Sequence, residues 1–473
     1  MKELITTLSF FLSLFLPWIL GSVWVLWLLR NSSRRNLCVV LGHGYLVGVL
    51  LTTLVIRGWG LSGIMLEFWG LVSILLSLIL LGTLALRVQR TTFHSPSQSS
   101  TLTSWEIAVM SVLFALIAFR YWVLLQELIL RPPFPWDAWM NWLPKSIVWF
   151  EYKELLPYVS KEEWLAGSDE SLLYTAGASN AWKYPEVVPL MQLWGMLALG
   201  TSDYNLIYLP WLLVVLACGV ALYGHLRLVG LPVTLATVAA YAFLNLPFIN
   251  AHIALAGYAD IWLMAAFGCA VFAASEYSAV GRKSYAILSL ILAILCAQIK
   301  MPGFVMAGIV VVILVASYLR VSASLVVSLI LSMLLCGIYI VIYGVEVTLP
   351  GVGQLVISDQ KLVVPYLGEY ELALHPVHHA IFEALFAMIN WNILWYIFFL
   401  VLFVNAIKYR FEWPPSIGLQ SIFLSLIFIF FVYACTDRFQ FALDFSQINR
   451  ALVYPTPVMI FYIFQSVHRW GKG

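Results

Sequence analysis

About thirteen long apolar runs, each near the length that crosses a bilayer, alternate with short polar turns along this chain. Inside a bilayer every backbone N–H and C=O must be satisfied internally, so such runs fold as helices. They cover 5–29, 37–57, 62–86, 104–130, 204–224, 231–249, 259–280, 284–299, 303–319, 323–345, 380–406, 415–434 and 451–467. The pattern predicts an all-α polytopic membrane protein. Composition points the same way: of 473 residues 62% are hydrophobic and 10% charged, against roughly 25% charged in a soluble domain. A net charge of +2 without a Lys/Arg block gives nucleic acid nothing to hold. The six cysteines are scattered, with no CxxC pair, and indicate neither a disulfide framework nor a structural zinc site. The first run is too long for a signal-peptide core and reads as a retained helix.

The apolar run 187–200 is short and opens with Val-Val-Pro, so it reads as a helix lying at the interface. Charge supports that choice. With the N-terminus outside, Arg30, Arg34, Arg35, Arg87, Arg90, Arg227, Arg282, Lys283, Arg320, Lys408 and Arg410 fall on inner connections, while Arg57 and Lys300 fall on outer ones. Basic residues concentrate on the cytoplasmic side of membrane proteins. Three outer segments follow: 131–203, 346–379 and 435–450. The first mixes Glu151, Lys153, Glu154, Lys161, Glu162 and Glu163 with Trp149, Phe150, Tyr158 and Trp164, as amphipathic interfacial helices do. Residues 1–103 read as additional N-terminal helices and 104–473 as the main membrane domain.

The segment 131–203 is the most informative. It opens Pro133-Phe-Pro-Trp-Asp-Ala-Trp-Met-Asn-Trp-Leu-Pro-Lys145, placing Asp137 among Trp136, Trp139 and Trp142 just after a span. Asp137 either caps the short helix starting at Ala138 or serves as a general base, its basicity raised by partial burial among indoles. Asp260, in Gly257-Tyr-Ala-Asp-Ile-Trp262, again reads as a helix cap or as a second working carboxylate. His252 and Tyr258 lie on the same membrane face. Lys300, Arg438 and Arg450 lie on that face too, either snorkelling to headgroups or binding a phosphate. Arg120, inside the fourth span, needs an intramembrane partner or a water-filled cavity. His375-Pro-Val-His-His379 has a spacing that a metal could use, but a pair touching substrate, with His378 foremost, is the better reading.

The serial arrangement resembles the GT-C superfamily of membrane glycosyltransferases, in the branch using polyprenyl-phosphate sugars that includes protein O-mannosyltransferases and lipid A aminoarabinose transferases. The features that carry it are the outer loop beginning at Asp137, Tyr184-Pro-Glu-Val-Val-Pro-Leu190, Leu-Gly-Thr-Ser-Asp203, a span closing in Gly-His-Leu-Arg227, and Ala-Gly-Tyr-Ala-Asp260. They extend over roughly residues 104–467. The resemblance implies a GT-C-like fold with a long extracytoplasmic catalytic loop. In it Asp137 matches the proposed catalytic base, Asp260 the second acidic position, and Lys300 and Arg450 the cations against the lipid phosphate. Two features depart from the family: Ala138 follows Asp137 where a second acidic residue is common, and three spans precede the expected first one.

The expectation is an inverting glycosyltransferase in a bacterial cytoplasmic membrane with its site facing outward. It would move a sugar from a polyprenyl-phosphate donor to an acceptor hydroxyl on a glycan, lipid or protein, with no cofactor and no metal. Asp137 and Asp260 would be catalytic. Lys300, Arg450, Arg438, His252, Tyr258, Trp136 and His378 would bind substrate. A transporter or flippase of a lipid-linked or small polar solute is the alternative, and a non-catalytic assembly subunit is a third.

Overall fold

A computed structural model describes residues 2–32, 34–88, 102–167, 172–178, 181–202, 205–319, 339, 343–349, 353–365, 368–409 and 416–472. Over these residues the chain is mostly helical. Among the described residues eight helices are long and apolar enough to cross a membrane: Glu3–Leu28, Leu37–Leu61, Phe68–Arg87, Ser104–Leu130, Leu206–Val229, Asp260–Val280, Pro302–Leu319 and Ile417–Cys435. A ninth arises if Val233–Leu244 and Pro247–Ala254, which meet at 54°, form one broken span. This is an integral multi-pass membrane protein. The break has a local cause: Pro247 has no N–H to continue the helix, and Asn245 turns its amide back onto Tyr241 O at 3.1 Å.

The Asp260–Val280 helix sits at the centre. Every residue from Asp260 to Ala274 is buried, as is Glu276. A helix apolar on all sides needs neighbours on all sides. Here they are Leu209–Val229, Lys283–Ile299, Pro302–Leu319, Ile417–Cys435 and Thr456–Trp470. The first helices join the same core. Gly21 and Gly48 let Glu3–Leu28 and Leu37–Leu61 approach so closely that a Cβ at either would run into the backbone of the other helix. Small residues serve membrane helix pairs in this way. Trp194 Nε1 donates to Ser13 O at 2.9 Å and Asn36 Nδ2 to Gly224 O at 2.8 Å. The hydrophobic core is therefore continuous across residue 103.

Ser104–Leu130 is peripheral, with only Tyr121, Leu124 and Leu128 buried. Arg120 on this helix has its partner in Asn250. With its nitrogen turned to Leu244 O, that amide accepts from Arg120 Nε at 3.2 Å.

Several segments differ from the sequence expectation. The chain is not wholly helical: the 346–379 region holds a four-stranded antiparallel meander, Val345–Leu349, Gly353–Ile357, Lys361–Val364 and Gly368–Glu371, in sequential order. The run 380–406 is not one helix. It breaks into His378–Phe382, a π turn Glu383–Ala387, a 3₁₀ turn Ile389–Trp391 and Leu394–Tyr409, with Asn392 at φ 49° in the interruption. Val187–Leu199 is a short helix, but all of it except Gly195 and Leu199 is buried. It packs between the first two helices and Leu143–Tyr152 rather than presenting a polar face to headgroups. The expected span 323–345 lies, apart from residues 339 and 343–345, outside the described residues.

Candidate functional site

Four segments distant in sequence converge on one cluster of charges. Asp137 precedes a π turn, Ala138–Trp142, that leads into Leu143–Tyr152 with Pro144 in its first turn. Single π turns recur at functional sites because they re-aim side chains. Trp142 is fully buried, whereas Trp136 and Trp139 face outward. Asp137 itself has helical dihedrals and makes no cap hydrogen bond, so the capping reading does not hold. Asp260 is the first residue of its helix and also caps nothing. What brings the two together is Gly257. Its φ is +121°, and a Cβ there would collide with that of Ala138. Ala138 is fully buried against this glycine. A second acidic side chain at 138 has no room, which gives the Asp137-Ala138 pair a steric cause.

Lys300 occupies the extended residue after Lys283–Ile299, and Arg450 the short Ile448–Leu452 helix. Lys300 Nζ lies 2.9 Å from Asp260 Oδ1 and 3.9 Å from Asp137 Oδ2. Arg450 donates to Asp260 Oδ2 from Nε at 2.9 Å and approaches it with Nη2 at 2.7 Å. The same Nη2 donates to Asp137 Oδ2. Tyr454 completes the set, its hydroxyl donating to Asp260 Oδ1 at 2.7 Å. The Arg450 guanidinium carbon lies 4.1 Å from the centre of the Tyr258 ring, a cation–π contact. Two carboxylates thus face two cations with no net charge left over.

The carboxylates are not equivalent. Asp260 has no exposed side-chain surface, and both its oxygens are engaged. Asp137 keeps 12% of its side chain exposed and meets both cations through Oδ2 alone. Asp260 therefore holds the cations in place, while Asp137 has an oxygen to offer. Burial works against charge on Arg450, but Asp260 and Asp137 outweigh it and hold the guanidinium pKa above its ordinary value. Burial, aided by the nearby Asp137, pushes the Tyr184 phenol up to about 12, and burial raises Tyr258 as well. Both phenols therefore stay protonated at neutral pH.

His252 is buried next to this cluster, with Nδ1 3.0 Å from Phe248 O and its ring 5.1 Å from that of Tyr258. Three other residues singled out from sequence form no hydrogen bond or ion pair with the four charges. Arg438 pairs with Asp437 at 3.8 Å and lies over Tyr370, and its charge acts on Tyr184 beside the cluster. Trp136 is 55% exposed. His378 is exposed beside His379, while the His375 ring stacks on Phe439 at 3.8 Å. The HxxH pattern therefore does not converge, and among the described residues no three His, Cys, Asp or Glu side chains gather to hold a metal ion.

Sequence reasoning missed Tyr454, Tyr184 and Lys145. Tyr454 follows Arg450 by four residues, a spacing that shares one helical face. Tyr184 packs on Trp142 at 5.1 Å, and its carbonyl accepts from Lys145 Nζ at 3.3 Å. Lys145 is 1% exposed, and burial lowers its pKa to about 8.

No model of a known protein family, no curated protein and no solved structure matches this chain.

Proposed function

We propose that the protein is an inverting glycosyltransferase of GT-C-like fold, moving a sugar from a polyprenyl-phosphate donor to an acceptor hydroxyl. In this reading Lys283–Ile299, Leu394–Tyr409, Thr456–Trp470 and the apolar run 323–345 also cross the membrane, giving about thirteen spans. The basic turns lie inside and the charge cluster faces the outer side of a bacterial cytoplasmic membrane. The observation that carries the reading is the split between the two carboxylates: Asp260 saturated by Lys300, Arg450 and Tyr454, Asp137 tied through Oδ2 alone.

The acceptor hydroxyl gives its proton to Asp137 Oδ1 as its oxygen bonds to the anomeric carbon. The bond from that carbon to the phosphate oxygen breaks, and its electron pair leaves with the phosphate. Arg450 uses Nε and Nη2 for the carboxylates, so Nη1 and the remaining Lys300 donors meet the charge developing on the leaving group. Fixed donors aimed at developing charge are generally the largest single catalytic term. Loss of a positioned base costs about 10²–10⁴-fold in rate. The test is transfer of radiolabelled sugar from a polyprenyl-phosphate donor in membranes holding the protein. Asp137→Asn should abolish most transfer while the protein stays folded, and unchanged transfer would sink this mechanism.

A second reading, transport of a lipid-linked or small polar solute, draws on the broken helix pair at 54°, a feature of transporters. It predicts movement of labelled solute into sealed vesicles with no new covalent product.

A further inference from the structure

Two buried polar atoms beside the charge cluster face no donor, and the chemistry of their neighbours fixes what each can do. His252 is 6% exposed, and its Nδ1 lies 3.0 Å from Phe248 O. A carbonyl oxygen only accepts, so Nδ1 carries the proton. In a neutral imidazole Nε2 is then a bare acceptor. Asn449, adjacent to Arg450, is 5% exposed, and its Nδ2 lies 3.2 Å from Met388 Sδ. A thioether also only accepts, so the amide orientation is fixed and Oδ1 is the free end. Among the described residues neither His252 Nε2 nor Asn449 Oδ1 has a hydrogen-bond partner.

Both residues border the same cluster. His252 reaches it through Tyr258, whose ring lies 5.1 Å from the imidazole and 4.1 Å from the Arg450 guanidinium carbon. Asn449 is the residue before Arg450 in Ile448–Leu452, and its side chain contacts Met388. The turn that carries Met388 and Trp391 joins them from behind, since Trp391 packs on Phe248 at 5.1 Å. Each buried acceptor left without a donor costs about 1–3 kcal/mol. Two of them flanking a cation cluster are complementary to a ligand that offers O–H or N–H groups.

We propose that His252 Nε2 and Asn449 Oδ1 accept hydrogen bonds from hydroxyl groups of a sugar whose phosphate is held at Arg450 and Lys300. This rests on the transferase reading and specifies it: the cations take the phosphate, and these two acceptors take the uncharged, hydroxyl-bearing part. Neither residue acts on the reacting atoms. They position the sugar and discriminate a glycosylated lipid phosphate from a bare one.

The test compares binding of farnesyl phosphate and farnesyl-phosphoryl mannose to the purified full-length protein. Wild type should bind the sugar-bearing lipid more tightly. His252→Asn keeps a donor for Phe248 O but loses the Nε2 acceptor, and Asn449→Leu removes Oδ1. Each should weaken the sugar-bearing lipid about tenfold while leaving farnesyl phosphate unchanged. His252→Gln, which restores an acceptor near the Nε2 position, should recover most of the loss. Equal weakening of both lipids would show that the two residues only support the fold, and would overturn the proposal. So would a wild type that gains nothing from the sugar. If wild type binds neither lipid, the transferase reading fails first and this inference falls with it.

Discussion

Arg450 and Asp260 stand 190 residues apart in sequence, yet Arg450 Nε donates to Asp260 Oδ2 at 2.9 Å and Nη2 approaches the same oxygen at 2.7 Å. The Asp260 side chain is fully buried, so this pairing is shielded from water and salt. It fixes the last part of the chain against the central helix and sets the guanidinium within reach of Asp137.

Asp260→Asn should therefore act mainly on stability and Asp137→Asn mainly on turnover. Removing one partner of a buried pair typically costs about 3–5 kcal/mol. Thermal unfolding of the purified protein in detergent should drop sharply for Asp260→Asn and little for Asp137→Asn. The reverse order would show that the roles are misassigned.

Tyr454→Phe removes one hydroxyl that donates to Asp260 Oδ1 at 2.7 Å and changes little else. A hydrogen bond to a charged group is worth about 1.5–3 kcal/mol. The variant should lose roughly that much stability by thermal or denaturant unfolding. A neutral effect would mean that Lys300 and Arg450 hold Asp260 without it.

Lys145 gives a pH signature. Burial lowers its pKa to about 8, whereas an unfolded lysine titrates near about 10.4. Between those values the unfolded chain binds the extra proton, so this group's contribution to stability rises with pH. The full penalty, about 3 kcal/mol, applies below pH 8 and is relieved as pH approaches about 10.5. Lys145→Met should therefore stabilise the protein more at pH 7 than at pH 10. A gain independent of pH would place its origin in packing alone.

Gly48 tests whether the first helices are integral. A Cβ there would meet the Pro17 carbonyl, while Gly58 on the same helix has nothing within 4 Å. Gly48→Leu should destabilise by at least about 1–3 kcal/mol, the usual range for overpacking. Gly58→Ala should be neutral or slightly stabilising, because alanine favours helix. Equal effects at both positions would remove the helix-packing argument.

The membrane class was legible because apolar runs of bilayer length leave few alternatives, and Asp137, Asp260, Lys300 and Arg450 stood out as charges at the ends of such runs. Their convergence was not legible. It depends on Gly257 pressing against Ala138 and on the short Ile448–Leu452 helix, neither of which a hydropathy pattern resolves. Tyr454 was absorbed into an apolar run although its spacing from Arg450 was informative. The run 380–406 read as one span because its breaks, at Asn390 and Asn392, are embedded in apolar sequence. The sheet had its own signal in the alternation of Val345-Glu-Val-Thr-Leu349. It was masked by reading that region only as a connection between spans.

The most direct measurement is binding of a short-chain polyprenyl-phosphate sugar to purified wild type, Arg450→Lys and Arg450→Gln, with thermal unfolding confirming that each variant is folded. The account predicts saturable binding by wild type. It predicts a loss of at least tenfold with Gln and a smaller one with Lys, which keeps the charge but not the fork of donors. Wild type that binds no such lipid, or folded Arg450→Gln that binds it as well as wild type, would contradict the central claim.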